Sequence, residues 1–146
     1  MWSFILAFVG VTALPVPPEG LPAAPFDLNV GHQQIELREP LVARSAGVRL
    51  VLFVREPDIA RFEQTHPAGS VVARLRHADG RMLELVHTGY EYYSGFAGLL
   101  LTEREHAARG DLFNRLEFDA QVSLRDVRLV WLDRLARRVQ DVRPAL

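Results

Sequence analysis

The chain has 146 residues, 49% apolar and 24% charged, with a formal charge of −1 at pH 7. Those are globular proportions, and a near-neutral molecule has no overall field to recruit nucleic acid or an anionic membrane. Cysteine is absent, which excludes a disulfide framework, a thiolate zinc site, a cysteine nucleophile and a lipid-modified cysteine.

Met1 to Ala13 has no charged side chain. The run is too short to cross a bilayer as a helix, which takes about twenty residues. It matches the hydrophobic core of a secretory leader, and Val11-Thr12-Ala13 sets small side chains where a signal peptidase cuts. It departs from the usual leader in having no Lys or Arg ahead of the apolar run. The expectation is therefore a leader over 1–13 and a periplasmic or secreted protein with no stable membrane span after processing. If the segment is not a leader, it reads as a buried first strand or a loose membrane anchor, and the protein as cytoplasmic. Residues 14–25 hold Pro15, Pro17, Pro18, Pro22 and Pro25, a stretch that reads as an extended tether. Residues 26–146, roughly 120 in number, suffice for one core and one domain.

Within that domain the dominant period is two. Phe26, Leu28 and Val30 alternate with Asp27 and Asn29, and Ile35 and Leu37 alternate with Gln34, Glu36 and Arg38. From Val48 to Arg55 both faces are apolar, which places that strand in the middle of a sheet. Pro57 predicts the start of a short helix with Ile59 and Phe62 on its inner stripe, ended by His66-Pro67 and Gly69.

Residues 70–87 read as a hairpin. A two-residue turn at Asp79-Gly80 would set Leu75 against Glu84 and Arg76 against Leu83. A three-residue loop, Ala78-Asp79-Gly80 with Gly80 left-handed, pairs Leu75 with Leu83, Ala73 with Leu85, Arg74 with Glu84 and Val72 with Val86. A one-residue slip inverts every side chain, so the three-residue loop is expected.

Phe96 to Leu101 forms a compact strand candidate, and Thr102 with Glu105 resembles a capping box for a helix ending near Gly110. Leu116, Phe118, Ala120, Val122 and Leu124 alternate strictly with polar residues. Val127, Leu129 and Trp131 resume the alternation, which suggests a second hairpin. Residues 124–142 also fit one amphipathic helical stripe, but the β-formers from Val127 to Trp131 favour a strand to Leu132 followed by a short helix or irregular tail. Trp131 is expected to be buried against the sheet that includes Val48 to Val54. The fold expected is all-β and mainly antiparallel, a β-sandwich or small barrel of about seven to eight strands with one or two short helices.

The segment His87 to Phe96 contains Tyr90, Tyr92 and Tyr93, all the tyrosines of the chain, between Gly89 and Gly95. Tyrosine offers large contact area at low entropic cost, so Tyr90, Glu91, Tyr92, Tyr93 and Phe96 are the candidate partner-binding residues. The alternative is that Tyr90 and Tyr92 cap the core from a strand edge. Glu103 and His106 have Glu-x-x-His spacing, but a di-metal bundle needs that motif twice, so neither metal nor cofactor is expected. His32, His66 and His77 stand beside turn residues and read as surface groups. Ser94 lacks the glycine two positions earlier that a nucleophile elbow requires.

All 17 basic residues are Arg, which suits bidentate partners and is equally what a GC-rich coding bias produces. Arg125, Arg128, Arg134, Arg137, Arg138 and Arg143 crowd the C-terminal quarter, but Asp126, Asp133 and Asp141 dilute them into a solvated face. The function this pattern suggests is an exported, non-catalytic binding protein whose partner is another protein, such as an immunity or inhibitor protein for a toxin or hydrolase. The rivals are a structural accessory module of an envelope complex and a hydrolase of unfamiliar design using His87, Glu91 and Ser94.

Overall fold

The computed structural model describes residues 26–43, 48–93, 95–104, 111–133 and 138–142. The proposed leader, the tether and Ser94 lie outside the described residues. Nine strands and one helix are present among them: β1 (Phe26–Leu28), β2 (Gly31–Ala43), β3 (Val48–Arg55), α1 (Ile59–Thr65), β4 (Val71–His77), β5 (Met82–Tyr93), β6 (Phe96–Glu103), β7 (Asp111–Ala120), β8 (Leu124–Asp133) and β9 (Arg138–Val142). The order across the sheet is β1-β8-β3-β6-β5-β4-β7-β2, with β9 beside β8. All pairings are antiparallel, and β2 comes round to meet β9. The sheet thus curls into a nearly closed barrel, the barrel form of the expected all-β architecture.

Alternation explains the curl, because each strand turns one apolar row inward. Val48, Leu50, Leu52 and Val54 of β3 join Leu75, Leu85, Leu99, Phe118 and Trp131 in the interior. The other apolar face of β3 is also used. Val51 and Phe53 point outward and pack with Phe96, Val130 and Leu132 in a second, smaller cluster. Opposite Phe53 on β6 stands Gly98. A Cβ on Gly98 would lie 2.7 Å from Val51 Cγ1 and 2.9 Å from Phe53 Cδ1, so its bare backbone is what lets those side chains lie flat on the sheet.

Several expected elements hold in detail. The β4–β5 hairpin has the three-residue loop, with Gly80 at φ +94° and the pairs Leu75–Leu83, Ala73–Leu85, Arg74–Glu84 and Val72–Val86. Central placement of β3, between β6 and β8, is likewise observed. Trp131 stands opposite Leu50 and is 1% exposed. Its indole Nε1 donates to the Val42 carbonyl at 3.2 Å, tying β8 to β2 across the seam of the barrel.

Others are corrected. β7 and β8 do not form a hairpin, because both edges of β7 are taken, by β4 and β2. The chain instead leaves β7 at Ala120, where Gln121 N–H donates to the Ser70 carbonyl at 2.8 Å, and enters β8 at Leu124. Leu124 and Val127 both face the core although three residues apart. A bulge against β1 absorbs the extra residue, with Asp126 at φ +55° and its N–H on the Asp27 carboxylate at 3.0 Å. Residues 138–142 form a strand on β8 rather than a helix or irregular tail. Helix α1 starts at Ile59, not Pro57, because Asp58 is the N-cap and accepts from Arg61 N–H at 3.1 Å. Thr102 and Glu103 belong to β6, so no capping box begins there; residues 105–110 lie outside the described residues.

Candidate functional site

The tyrosine segment is strand, not loop: β5 runs through Tyr93 and β6 begins at Phe96. Its register decides what each side chain can do. Leu83, Leu85 and His87 face inward. A bulge between His87 and Gly89 then inserts one residue, so that Tyr90 and Tyr92 take over the inward face. Glu91, Tyr93 and Phe96 are left on the outside. The five candidate partner-binding residues are therefore divided between two faces of one sheet.

On the inner side, Tyr90 and Tyr92 clasp α1. Tyr90 donates its hydroxyl to the His66 carbonyl at 2.5 Å, and its ring meets Phe62 edge-on at 6.1 Å. Tyr92 stacks on Tyr90 at 6.4 Å and donates to the Glu63 carboxylate. Burial raises the pKa of both phenols above the ordinary tyrosine value, helped at Tyr90 by the negative charge of Glu63 and at Tyr92 by the hydrogen bond to Glu63 and then its charge. Behind them lies His87, 1% exposed, with its Nδ1 3.3 Å from Ser70 Oγ. The two tyrosines cap the barrel, which is the strand-edge alternative raised from the sequence.

On the outer side, Phe96 stands directly opposite Arg55 on β3. The Arg55 guanidinium lies 4.8 Å from the Phe96 ring centroid and that of Arg128 lies 5.9 Å from it. Tyr93 packs against the same cluster. On the same face, Arg49 of β3 approaches Glu91 of β5 at 3.9 Å. Three strands thus hold Tyr93, Glu91, Arg55 and Arg128 on a floor of buried apolar side chains. Sequence reasoning missed the arginines. Arg128 is 32 positions from Phe96, and only the order β8-β3-β6 brings it near.

Elsewhere on the outer wall, charges neutralise one another. Arg74 of β4 pairs with Asp119 of β7 and lies 3.4 Å from Glu84 of β5, while Arg104 reaches the same Glu84 at 2.8 Å. Arg76 pairs with Glu117, and Arg115 with Glu36 at 2.8 Å. The hydrogen bond from Arg76 holds the Glu117 carboxyl below its usual range, and Arg74 does the same for Asp119. Glu117 is 7% exposed despite facing outward, because the paired side chains cover it.

His87 and Glu91 face opposite sides of β5, so the hydrolase set named above is not brought together in the described residues. No group of three or more His, Asp or Glu side chains able to hold a metal occurs among the described residues, and His106, the partner in the Glu-x-x-His spacing, lies outside them. No helix among the described residues is long and apolar enough to cross a membrane. In comparison with known protein families, curated proteins and solved structures, the chain matches none.

Proposed function

We propose that the chain is an exported, non-catalytic binding protein that acts on another protein, in the manner of an immunity or inhibitor protein for a toxin or hydrolase. One observation carries the reading: the outward aromatic and arginine cluster of Tyr93, Phe96, Arg55 and Arg128, with Glu91 beside it. Tyrosine and arginine dominate the energetics of protein interfaces. Here they rise from the middle of a sheet, so little conformational freedom is lost when a partner arrives. The partner-binding residues are accordingly Glu91 and Tyr93, with Phe96 as the buried floor beneath Arg55 and Arg128 and with Tyr90 and Tyr92 supporting them from the inner face. Export rests on residues 1–13. Mass spectrometry of the protein from its native host should find a new terminus at Leu14, and full-length protein confined to the cytosol would refute export.

The binding surface is tested with a partner captured from envelope extract and then purified. Tyr93→Ala with Glu91→Arg should weaken its binding at least tenfold, about 1.4 kcal/mol, while the variant, though less stable, still unfolds in one cooperative transition well above the assay temperature. Normal binding by that variant would place the surface elsewhere. Tyr92 is left intact in this test because its loss would also release α1.

A further inference from the structure

We propose that His87 and helix α1 form a proton-operated latch, in which protonation of the buried imidazole releases α1 from the end of the barrel. The proposal goes beyond the binding reading and does not depend on which partner is bound. Five contacts hold the latch. Gly69 N–H donates to the His87 carbonyl at 2.9 Å, and Ser70 Oγ meets His87 Nδ1 at 3.3 Å. Tyr90 reaches the His66 carbonyl at 2.5 Å, Tyr92 reaches the Glu63 carboxylate, and Phe62 is sealed beneath the tyrosine rings. All of them join the α1–β4 segment to the same stretch of β5 that carries His87.

The neutral ring fits this place and the charged ring does not. Nδ1 has Ser70, but Nε2 is buried without a hydrogen-bond partner. For a neutral imidazole that leaves one idle nitrogen. Imidazolium instead needs an acceptor for each of two N–H groups, and an unmet charged donor is costly in a dry site. The surroundings supply little. From the α1 side the ionisable neighbour is His66, whose charge would oppose a second cation. Glu63, the carboxylate of that helix, is engaged by Tyr92. From β5 itself come the Tyr90 ring, edge-on at 5.1 Å, and the Gly89 carbonyl, and from the following loop the Pro67 carbonyl. Those carbonyls favour the charged form, though neither meets Nε2 in hydrogen-bond geometry. On β6 the residue opposite is Leu101. Burial prevails and depresses the proton affinity of His87.

The sign follows by linkage. The closed form binds its proton less readily than the open form, in which His87 returns to the ordinary histidine value near 6.5. Closure is therefore fully favoured above about pH 6.5 and is lost as pH falls below it. The opening constant rises up to about tenfold for each pH unit until the closed form itself becomes protonated. Opening uncovers Phe62, Tyr90 and Tyr92 together.

Hydrogen exchange of the full chain, followed by mass spectrometry and corrected for intrinsic rates, tests the latch. Between pH 6.5 and 5.5 the peptide covering residues 59–69 should exchange up to about fivefold faster, while β3 stays protected. His87→Gln, which keeps a partner for Ser70 and cannot titrate, should abolish that pH response, and His66→Gln should retain it. Unchanged protection of α1 in the wild type overturns the proposal. So does a response that survives in His87→Gln or vanishes in His66→Gln. If His87→Gln does not fold, the wild-type His87 ring is titrated by NMR. Titration in the ordinary histidine range with α1 still closed refutes the latch, whereas titration coupled to loss of α1 protection supports it.

Discussion

Replacing Gly98 by Ala isolates the packing of the outer cluster in one methyl group. The backbone there has an ordinary negative φ, so alanine meets no conformational barrier, and a glycine in mid-strand normally gains about 0.4–1 kcal/mol from this change. Here the new Cβ would sit 2.7 Å from Val51 Cγ1, 2.9 Å from Phe53 Cδ1 and 3.1 Å from Phe53 Cε1. Neither neighbour can swing away. Val51 is β-branched and completely buried, and Phe53 is a rigid ring at 1% exposure. Overpacking of this kind costs about 1–3 kcal/mol, leaving Gly98→Ala less stable by about 1–2 kcal/mol after the chain-entropy gain. Urea titration should show a lower midpoint with an unchanged slope. In a Val51→Ala background the nearest contact is gone, so the same substitution should cost about 1 kcal/mol less. A Gly98→Ala protein as stable as the wild type, or costs that simply add, would refute the claim that Val51 and Phe53 press onto that backbone.

Trp131→Ala empties the largest buried side chain and frees the Val42 carbonyl, so it should cost about 3–5 kcal/mol in denaturant titration; a loss below about 1 kcal/mol would be incompatible with its position. Acid should act on the outer wall as well. Glu117 and Asp119 have depressed folded values, so they contribute stability above the unfolded carboxylate range near pH 4, and that contribution is lost as pH falls below it. Urea midpoints measured from pH 5 to pH 2 should therefore fall, and Glu117→Gln should fall less steeply; an equal slope would remove Glu117 from that response.

Local pattern and register were legible in the sequence. The inward rows of β3, β4 and β7, the three-residue β4–β5 loop and the burial of Trp131 all follow from side chains a few positions apart, because a period of two leaves one way to bury the apolar face. The tyrosine cluster was visible as composition, but its division was not. A bulge between His87 and Gly89 changes which residues face inward, and bulges leave no mark in an apolar pattern that reads equally well with Tyr90 or Glu91 on either face. What lay beyond local reading was strand order. Val127, Leu129 and Trp131 read as the return arm of a hairpin with a strand running to Leu124, because neighbours in sequence are the default pair. The strand order gave both edges of β7 to β4 and β2 instead, and the same order carried Arg128 to Phe96, while the tertiary fold set α1 against Tyr90 and Tyr92. A sequence states which face of a strand is apolar; only the three-dimensional competition for a limited number of strand edges decides which strands share them, and so which distant side chains meet.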